Sequence, residues 1–313
     1  MVSVQVSAAG KTPLAKGLPA TVEIPGKDLE TATVGDVKKA LTAKFPKLYA
    51  SRQKITLKGD KKALADEVTL KTAGVTEDAE LTVKDLGPQI GWRTVFIWEY
   101  TGPLVIHSLF YWLPNVFYGG AVQHSLLQKY VYGMCMLHYL KREYETLFVH
   151  RFSNGTMPFY GLFRNCFHYW VLGSLFLGYP VYGPTYAATS PYIRNSYREN
   201  PTFLWSCIAV WVFAELSNAK THMILRDLRP LGTRERRIPY GYGFNLVTCP
   251  NYLFEILGWT IVSVMTGSYA AHLFLIAGVY IQTMWAIKKH RNYRKEFGDK
   301  YPRSRKVIFP FIF

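Results

Sequence analysis

The chain is 313 residues long, 49% hydrophobic and 16% aromatic, and its 37 Lys and Arg against 21 Asp and Glu give a formal net charge of +16. The basic residues concentrate beside apolar segments instead of forming one stripe, which sets aside nucleic acid as a partner and favours the cytosolic loops of a membrane protein. Four isolated cysteines, Cys135, Cys166, Cys207 and Cys249, show neither a CxxC pair nor a His spacing for zinc, so no metal is expected and they read as small apolar residues.

At the N-terminus MVSVQVSAAG offers neither a charged n-region nor an apolar h-region, so no cleaved signal peptide is expected and the first domain is expected to stay in the cytosol. Val2, Val4 and Val6 alternate as a half-buried strand requires, and Val22 and Ile24 share one face of a second strand around Thr21 to Ile24. Val34, Val37, Leu41 and Phe45 have helical spacing over Thr33 to Phe45. A strand at Ile55 to Leu57 follows, and a stretch from Asp66 to Lys71 leads to another at Ala79 to Val83. The order strand, strand, helix, strand, short turn, strand, with the phrase VTLKTAGVTEDAELTV, resembles the ubiquitin-like beta-grasp fold. Nothing in the module looks catalytic, and docking or stabilisation is its expected role.

Up to Leu86 the sequence is polar and lysine-rich, whereas from Trp92 onward Phe, Tyr, Trp and Leu dominate. Gly87-Pro88 sits on that change, giving an expected cytosolic domain over 1–86 and a membrane-embedded domain over 87–313. Candidate spans run over Val95 to Leu113, Tyr130 to Val149, Phe163 to Tyr182 and Phe203 to Leu225. An apolar tract from Leu253 to Ile287 is too long for one crossing and is interrupted at Thr266-Gly267-Ser268. The expected fold class is thus a small α+β ubiquitin-like (beta-grasp) domain followed by an all-α polytopic membrane domain of about six to seven helices. An even number of crossings places both termini on one side, and the basic tail makes that side cytosolic. Lys141, Arg142, Glu143 and Glu145 fit either a reentrant or interfacial helix or a span whose polar face lines a cavity.

Asn218, His222, Arg226, Asp227, Arg229, Arg236, Arg237, Asn251 and Glu255 lie between or inside these apolar stretches. Ionisable groups at membrane depth are costly, so they read as a polar site facing the protein interior. Guanidinium forks match phosphate oxygens and carboxylates accept from hydroxyls, which suits a nucleotide. A positive-inside loop would account for Arg234, Arg236 and Arg237 but not for Asn218 and His222. HExxH, GxSxG, Walker and GxGxxG signatures are absent, and the histidines form no di-iron boxes, so a nucleotide site must be built from membrane helices and loops.

DLGPQIGW (85–92), HYLKREYETLFVHRFSNGTMP (138–158), NAKTHMILRDLRPLG (218–232), RRIPYG (236–241), CPNYLFE (249–255) and the tail HRNYRKEFGDKYPRSRKVIFPFIF (290–313) carry a resemblance over almost the whole chain. The sequence resembles the very-long-chain trans-2-enoyl-CoA reductases of the steroid 5-alpha-reductase family, endoplasmic-reticulum enzymes with a ubiquitin-like N-terminal domain. The resemblance implies reduction of the carbon-carbon double bond of a very-long-chain trans-2-enoyl-CoA by NADPH, the last step of each fatty-acid elongation cycle. Such chemistry needs a grip on NADPH, a stabilised enolate oxygen after hydride reaches C3, and an acid for C2. It further implies a multi-pass protein of the endoplasmic reticulum membrane, with an acyl-CoA substrate and other elongation enzymes as partners.

By the same resemblance, Asn218, Arg229, Arg237, Asn251 and Glu255 bind the cofactor, the arginines at phosphate and Glu255 at a hydroxyl or the carboxamide. Arg226 belongs to the same cluster, and Tyr293 matches the tyrosine of the HRxY element. His222 stands where the steroid-reducing relatives have an acidic residue, and is either a cofactor ligand or a structural histidine. Glu99 and Tyr139 match the pair that grips the conjugated carbonyl. Tyr252, at a position where the enoyl reductases differ from the steroid reductases, is the first choice for the proton donor, with Tyr139 the runner-up; Lys141 is a cation able to ease donation. Packing for Tyr252 and snorkelling for Lys141 remain the alternatives. Two other classes are weighed: a membrane S-adenosylmethionine-dependent methyltransferase, whose tail pattern is similar, and a non-enzymatic adaptor docking through the ubiquitin-like domain. Within the same family, a steroid or polyprenol enone is the alternative substrate.

Overall fold

The computed structural model describes the whole chain except residues 11, 77–78, 153–154 and 230–235, so Arg234 of the expected basic loop lies outside the described residues. The described residues form two compact units, Met1–Gly91 with Gly155–Gly161, and Trp92–Asn154 with Leu162–Phe313.

In the first unit, β1 (Val2–Ala8), β2 (Ala20–Ile24), β3 (Gln53–Leu57) and β4 (Glu80–Asp85) form one sheet in the order β2-β1-β4-β3. β1 pairs antiparallel with β2, with Val4 opposite Val22, and parallel with β4, with Val6 opposite Leu81. Val2, Val4 and Val6 face the core while Ser3 and Gln5 face solvent, as their alternation requires. Helix α1 (Val34–Lys44) buries Val34, Val37 and Leu41, its apolar stripe, in that core. Its start is set by a capping box in which the Thr33 hydroxyl accepts from Asp36 N and Asp36 accepts from Thr33 N. Lys27 donates to the same Asp36 carboxylate at 2.6 Å, and this bond above all holds the Asp36 carboxyl down at about 2. A short antiparallel pair, β5 (Gln89–Gly91) with β6 (Thr156–Pro158), also belongs to this unit.

The second unit is helical. It comprises α2 (Trp92–Trp112), α3 (Pro114–Tyr118), α4 (Leu126–Tyr144), α5 (Gly161–Cys166), α6 (Phe176–Tyr182), α7 (Pro201–Asp227), α8 (Pro250–Thr266) and α9 (Tyr269–Phe297). These eight segments exceed the six to seven expected because α3 is one short turn and the third expected span is divided. A π-helical stretch, Phe167–Leu175, joins α5 to α6 in that span, and a second, Glu145–Val149, ends α4. Neither bulge has a signal in the hydrophobic period. The break in the last apolar tract falls at Gly267, whose φ of +61° closes α8 before Ser268 opens α9.

Among the described residues, two helices are long and apolar enough to cross a membrane, over Pro201–Asp227 and Tyr269–Lys300. Large apolar side chains lie exposed along the other helices too, including Trp98, Leu109 and Trp112 on α2, Leu137 and Leu140 on α4, and Phe176 on α6.

Candidate active site

α4 and the π-helical turn that ends it bring His138, Lys141, Arg142 and Glu145 to one face by i, i+3 and i+4 spacings, and α7 does the same for Glu215, Asn218 and His222. These two faces and the first turns of α8 build a continuous buried polar lattice. Lys141 Nζ lies 2.6 Å from Asn218 Oδ1 and 2.7 Å from Glu215 Oε2. His138 lies between two carboxylates, 2.8 Å from Glu215 and 3.4 Å from Glu255. The Asn218 amide donates to Asn251 O at 2.8 Å and to Glu255 Oε2 at 3.2 Å, tying α7 to α8.

A second part of the lattice sits where the π-helical turn ends α4. Arg142 Nη1 is 2.7 Å from Glu145 Oε2, which is also 3.0 Å from His222 Nδ1. Arg142 Nη2 donates to Tyr100 Oη on α2 at 2.9 Å. Donor atoms of Glu145, His150 and His222 lie within 4.8 Å of one another. The Arg142 guanidinium, 3.3 Å from His222 Nδ1, already supplies a cation at that spot. Charges buried this way are stable only when paired, so the lattice tolerates no missing member.

Beside the lattice lies an aromatic box. Tyr139 is fully buried, with the rings of Tyr100, His107, His138, Tyr169 and Trp259 between 5.0 and 6.5 Å from its own. Its hydroxyl has no hydrogen-bond partner among the described residues. Gly173 leaves that hydroxyl room: a Cβ there would approach Tyr139 Oη at 3.3 Å and Phe274 Cε2 at 2.9 Å. Glu99 is buried on α2 and accepts from Asn165 Nδ2 at 2.8 Å, with no hydrogen bond to Tyr139 among the described residues.

The expected residues therefore occupy three places. Lys141, Asn218, His222, Asn251 and Glu255 meet in the lattice, where the Asn251 side-chain oxygen is buried without a partner among the described residues. Glu99 and Tyr139 lie on the α2 and α4 side. Arg226, Arg229, Arg237 and Tyr293 lie toward the polar ends: Arg226 pairs with Asp227 at 2.8 Å, Arg229 donates to Arg151 O at 2.9 Å, Arg237 is exposed, and the Tyr293 ring stacks on Tyr301. Tyr252, in the first turn of α8, packs near Trp285 of α9 with ring centroids 6.3 Å apart; Lys141 is engaged by Glu215 and Asn218. Sequence reading gave Arg142 and Glu145 no more than a place on a polar helix face, and named no role for His138, Glu215, Tyr100 or Asn165. The i, i+3, i+4 recurrence of ionisable residues in an apolar helix was the available signal for the first four.

An unsatisfied amide oxygen, a neighbouring carboxylate and arginines at the same ends of the helices form a donor and acceptor set that suits a nicotinamide dinucleotide. A membrane-type helical unit with a buried ionic lattice, linked in one chain to a ubiquitin-like module, defines a class of lipid-handling protein to which sequence comparison assigns a family. The chain belongs to the 3-oxo-5-alpha-steroid 4-dehydrogenase family, whose model matches residues 155–313, and a ubiquitin-like domain model described for TECR matches residues 24–85. It is 41% identical over 291 residues to the very-long-chain enoyl-CoA reductase of Dictyostelium discoideum, covering 90% of this chain and 92% of that one. It is 50% identical over 253 residues to a Schizosaccharomyces pombe protein provisionally named an enoyl reductase, covering 81% and 83% of the two chains. A Caenorhabditis elegans protein provisionally named a very-long-chain enoyl-CoA reductase is 41% identical over 297 residues, covering 90% and 91%.

Proposed function

We propose that this chain reduces the trans-2 double bond of a very-long-chain enoyl-CoA to the saturated acyl-CoA in fatty-acid elongation, as an NADPH-dependent enzyme of the endoplasmic reticulum membrane. The observation that carries the reading is that two buried groups, the Tyr139 hydroxyl in the aromatic box and the Asn251 amide oxygen in the lattice, have no hydrogen-bond partner among the described residues. Buried polar atoms without partners are rare, and a bound ligand is one way such an atom completes its bonding. Family membership and the names of the relatives support the same reaction.

NADPH supplies the hydride that C3 of the substrate receives. Asn218, Asn251 and Glu255 would hold its amide and hydroxyl groups, with His222 beside them, and Arg226, Arg229, Arg237 and Tyr293 its outer, charged part. Tyr139 would donate to the thioester oxygen, and Glu99, held by Asn165, would complete that grip as the protonated acid, so the charge developing on the oxygen would meet donors already in place. Tyr252 passes a proton to C2, with Lys141 as the cation of the lattice. The salt-bridged lattice fixes these groups against drift, which matters because small misplacements are costly in rate.

Residues 87–313 form the embedded reductase and residues 1–86 a cytosolic module. The exposed apolar faces of α2, α4 and α6 support further crossings beyond α7 and α9, to about six, with both termini in the cytosol. Other elongation enzymes are its natural neighbours. The testing experiment is NADPH oxidation by purified full-length protein in detergent, with a long trans-2-enoyl-CoA and with a steroid enone. Turnover with the enoyl-CoA supports the reading; turnover with the steroid alone assigns the other substrate class of the family.

A further inference from the structure

Outside the lattice, Arg305 is a buried charge without a counter-ion among the described residues. Arg305 is 3% exposed, and its Nε, Nη1 and Nη2 have no hydrogen-bond acceptor in good geometry among the described residues. Its guanidinium lies over the rings of Tyr240 and Tyr301, 5.2 and 5.0 Å from their centroids. Attraction to two aromatic faces and a contact with the Tyr301 hydroxyl offset part of the desolvation but leave the fork without an anionic acceptor among the described residues. A structural ion pair would set a carboxylate against the fork, and a solvated arginine would reach water. Arg305 does neither.

The surroundings are rigid and electropositive. Lys306 is pinned by Thr248 N to Lys306 O at 2.9 Å and by Lys306 N to Leu246 O at 2.9 Å, which fixes the backbone beneath Arg305. Thr248 Oγ1 lies 2.7 Å from Tyr301 Oη and 2.6 Å from His290 Nδ1, so the ring under the guanidinium is held as well. The positive charges of Arg294 and Arg305 both bear on His290. Tyr293 stacks on Tyr301 at 5.6 Å, and α8 opens at Pro250 two residues beyond Thr248. Its first N–H groups add a partial positive charge at that end.

We propose that Arg305 is the anchor of a phosphate-binding site, its fork held ready by Tyr240 and Tyr301 for a phosphate group of a bound nucleotide. A phosphate offers several anionic oxygens in the spacing a planar fork accepts, and a dry, preformed cation costs nothing to reorganise when it arrives. The proposal rests on the reductase reading for its two sources, because both the dinucleotide cofactor and the CoA of the substrate carry phosphates.

The test uses full-length protein in detergent, wild type and Arg305→Met, with thermal shift and equilibrium binding of NADP+, CoA and inorganic pyrophosphate. Arg305→Met keeps most of the apolar stem and removes an unpaired buried charge, so the ligand-free protein is expected to melt at the same temperature or higher. Affinity for at least one probe is expected to fall about tenfold to a hundredfold. Loss for NADP+ assigns the cofactor's phosphate, loss for CoA the substrate's, and loss for pyrophosphate alone keeps the site while counting against the reductase reading. Arg305→Lys, which restores charge without the fork, is expected to recover only part of the lost affinity. Unchanged affinity for all three probes overturns the proposal, as does a lowered melting temperature with ligand binding intact, which would make Arg305 a structural residue.

Discussion

The two units treat polar groups in opposite ways. In the ubiquitin-like unit the ion pairs lie at the rim of an apolar core, Lys27 with Asp36 and Arg52 with Asp85, while the buried Gln53 amide donates to Lys38 O, Thr42 Oγ1 and Leu48 O. In the helical unit His138, Glu145, Asn218 and His222 are buried together, and Tyr139 and Asn251 keep unsatisfied atoms. The first keeps its ionisable groups at the surface, which is what stability alone asks for. The second leaves stability unclaimed, and sites shaped for a ligand are where such departures are expected.

The largest effect expected from this contrast is on the chemical step. Tyr252→Phe removes one hydroxyl and preserves packing near Trp285, so turnover should fall about 100-fold to 10,000-fold while NADPH affinity stays near wild type. Stopped-flow turnover with an enoyl-CoA, alongside cofactor titration, checks it. Normal turnover would return Tyr252 to a packing role.

A smaller effect belongs to the cofactor grip. Asn251→Ala should weaken NADPH binding roughly tenfold or more and leave acyl-CoA binding nearly unchanged. Fluorescence titration with each ligand separates the two, and equal weakening of both would blur the assigned role.

In the first unit, by contrast, substitutions should cost stability and spare chemistry. Leu41→Ala should destabilise that unit by roughly 2–5 kcal/mol, because Leu41 is fully buried in its core. Thr33→Ala, which removes the cap of α1, should cost about 1 kcal/mol. Hydrogen exchange of the α1 amides reads both, and the rate per folded enzyme should not change. A loss of turnover in a folded variant would tie the module to the reaction.

The smallest effect is on pH. Asp36 in the folded chain gives up its proton more readily than an unfolded aspartate, chiefly through the bond from Lys27. Its stabilising contribution is complete above an ordinary aspartate pKa near about 4 and is lost as pH falls toward about 2. Protection of the α1 amides should therefore drop across that window in wild type and less so in Asp36→Asn.

Local signals carried much of this fold. The limits of α1 follow from Thr33 and its apolar stripe, and the turn at Gly267 from a break in the apolar tract. Partnerships within the lattice were not legible in the same way. His138 meets Glu215 and Lys141 meets Asn218 each across 77 positions, and Glu99 meets Asn165 across 66, so nothing in a local window reports them. The sequence could say that Lys141, Arg142 and Glu145 would be costly in an apolar helix. Only the packing of α4 on α7 and α8 says who neutralises them. The π-helical turn at Glu145 is likewise a product of tertiary pairing, since it sets that carboxylate between Arg142 and His222.

The central claim is that the Tyr139 hydroxyl and the Asn251 amide oxygen, two buried atoms without partners among the described residues, belong to a reductase site, and Tyr139→Phe tests it most directly. Purified full-length variant and wild type are compared for melting temperature, NADPH affinity and turnover of a long trans-2-enoyl-CoA. Because the hydroxyl has no partner, its removal should leave the melting temperature unchanged or raised and NADPH affinity intact, while turnover falls by about 100-fold or more. Near-normal turnover in a folded Tyr139→Phe protein would contradict the account.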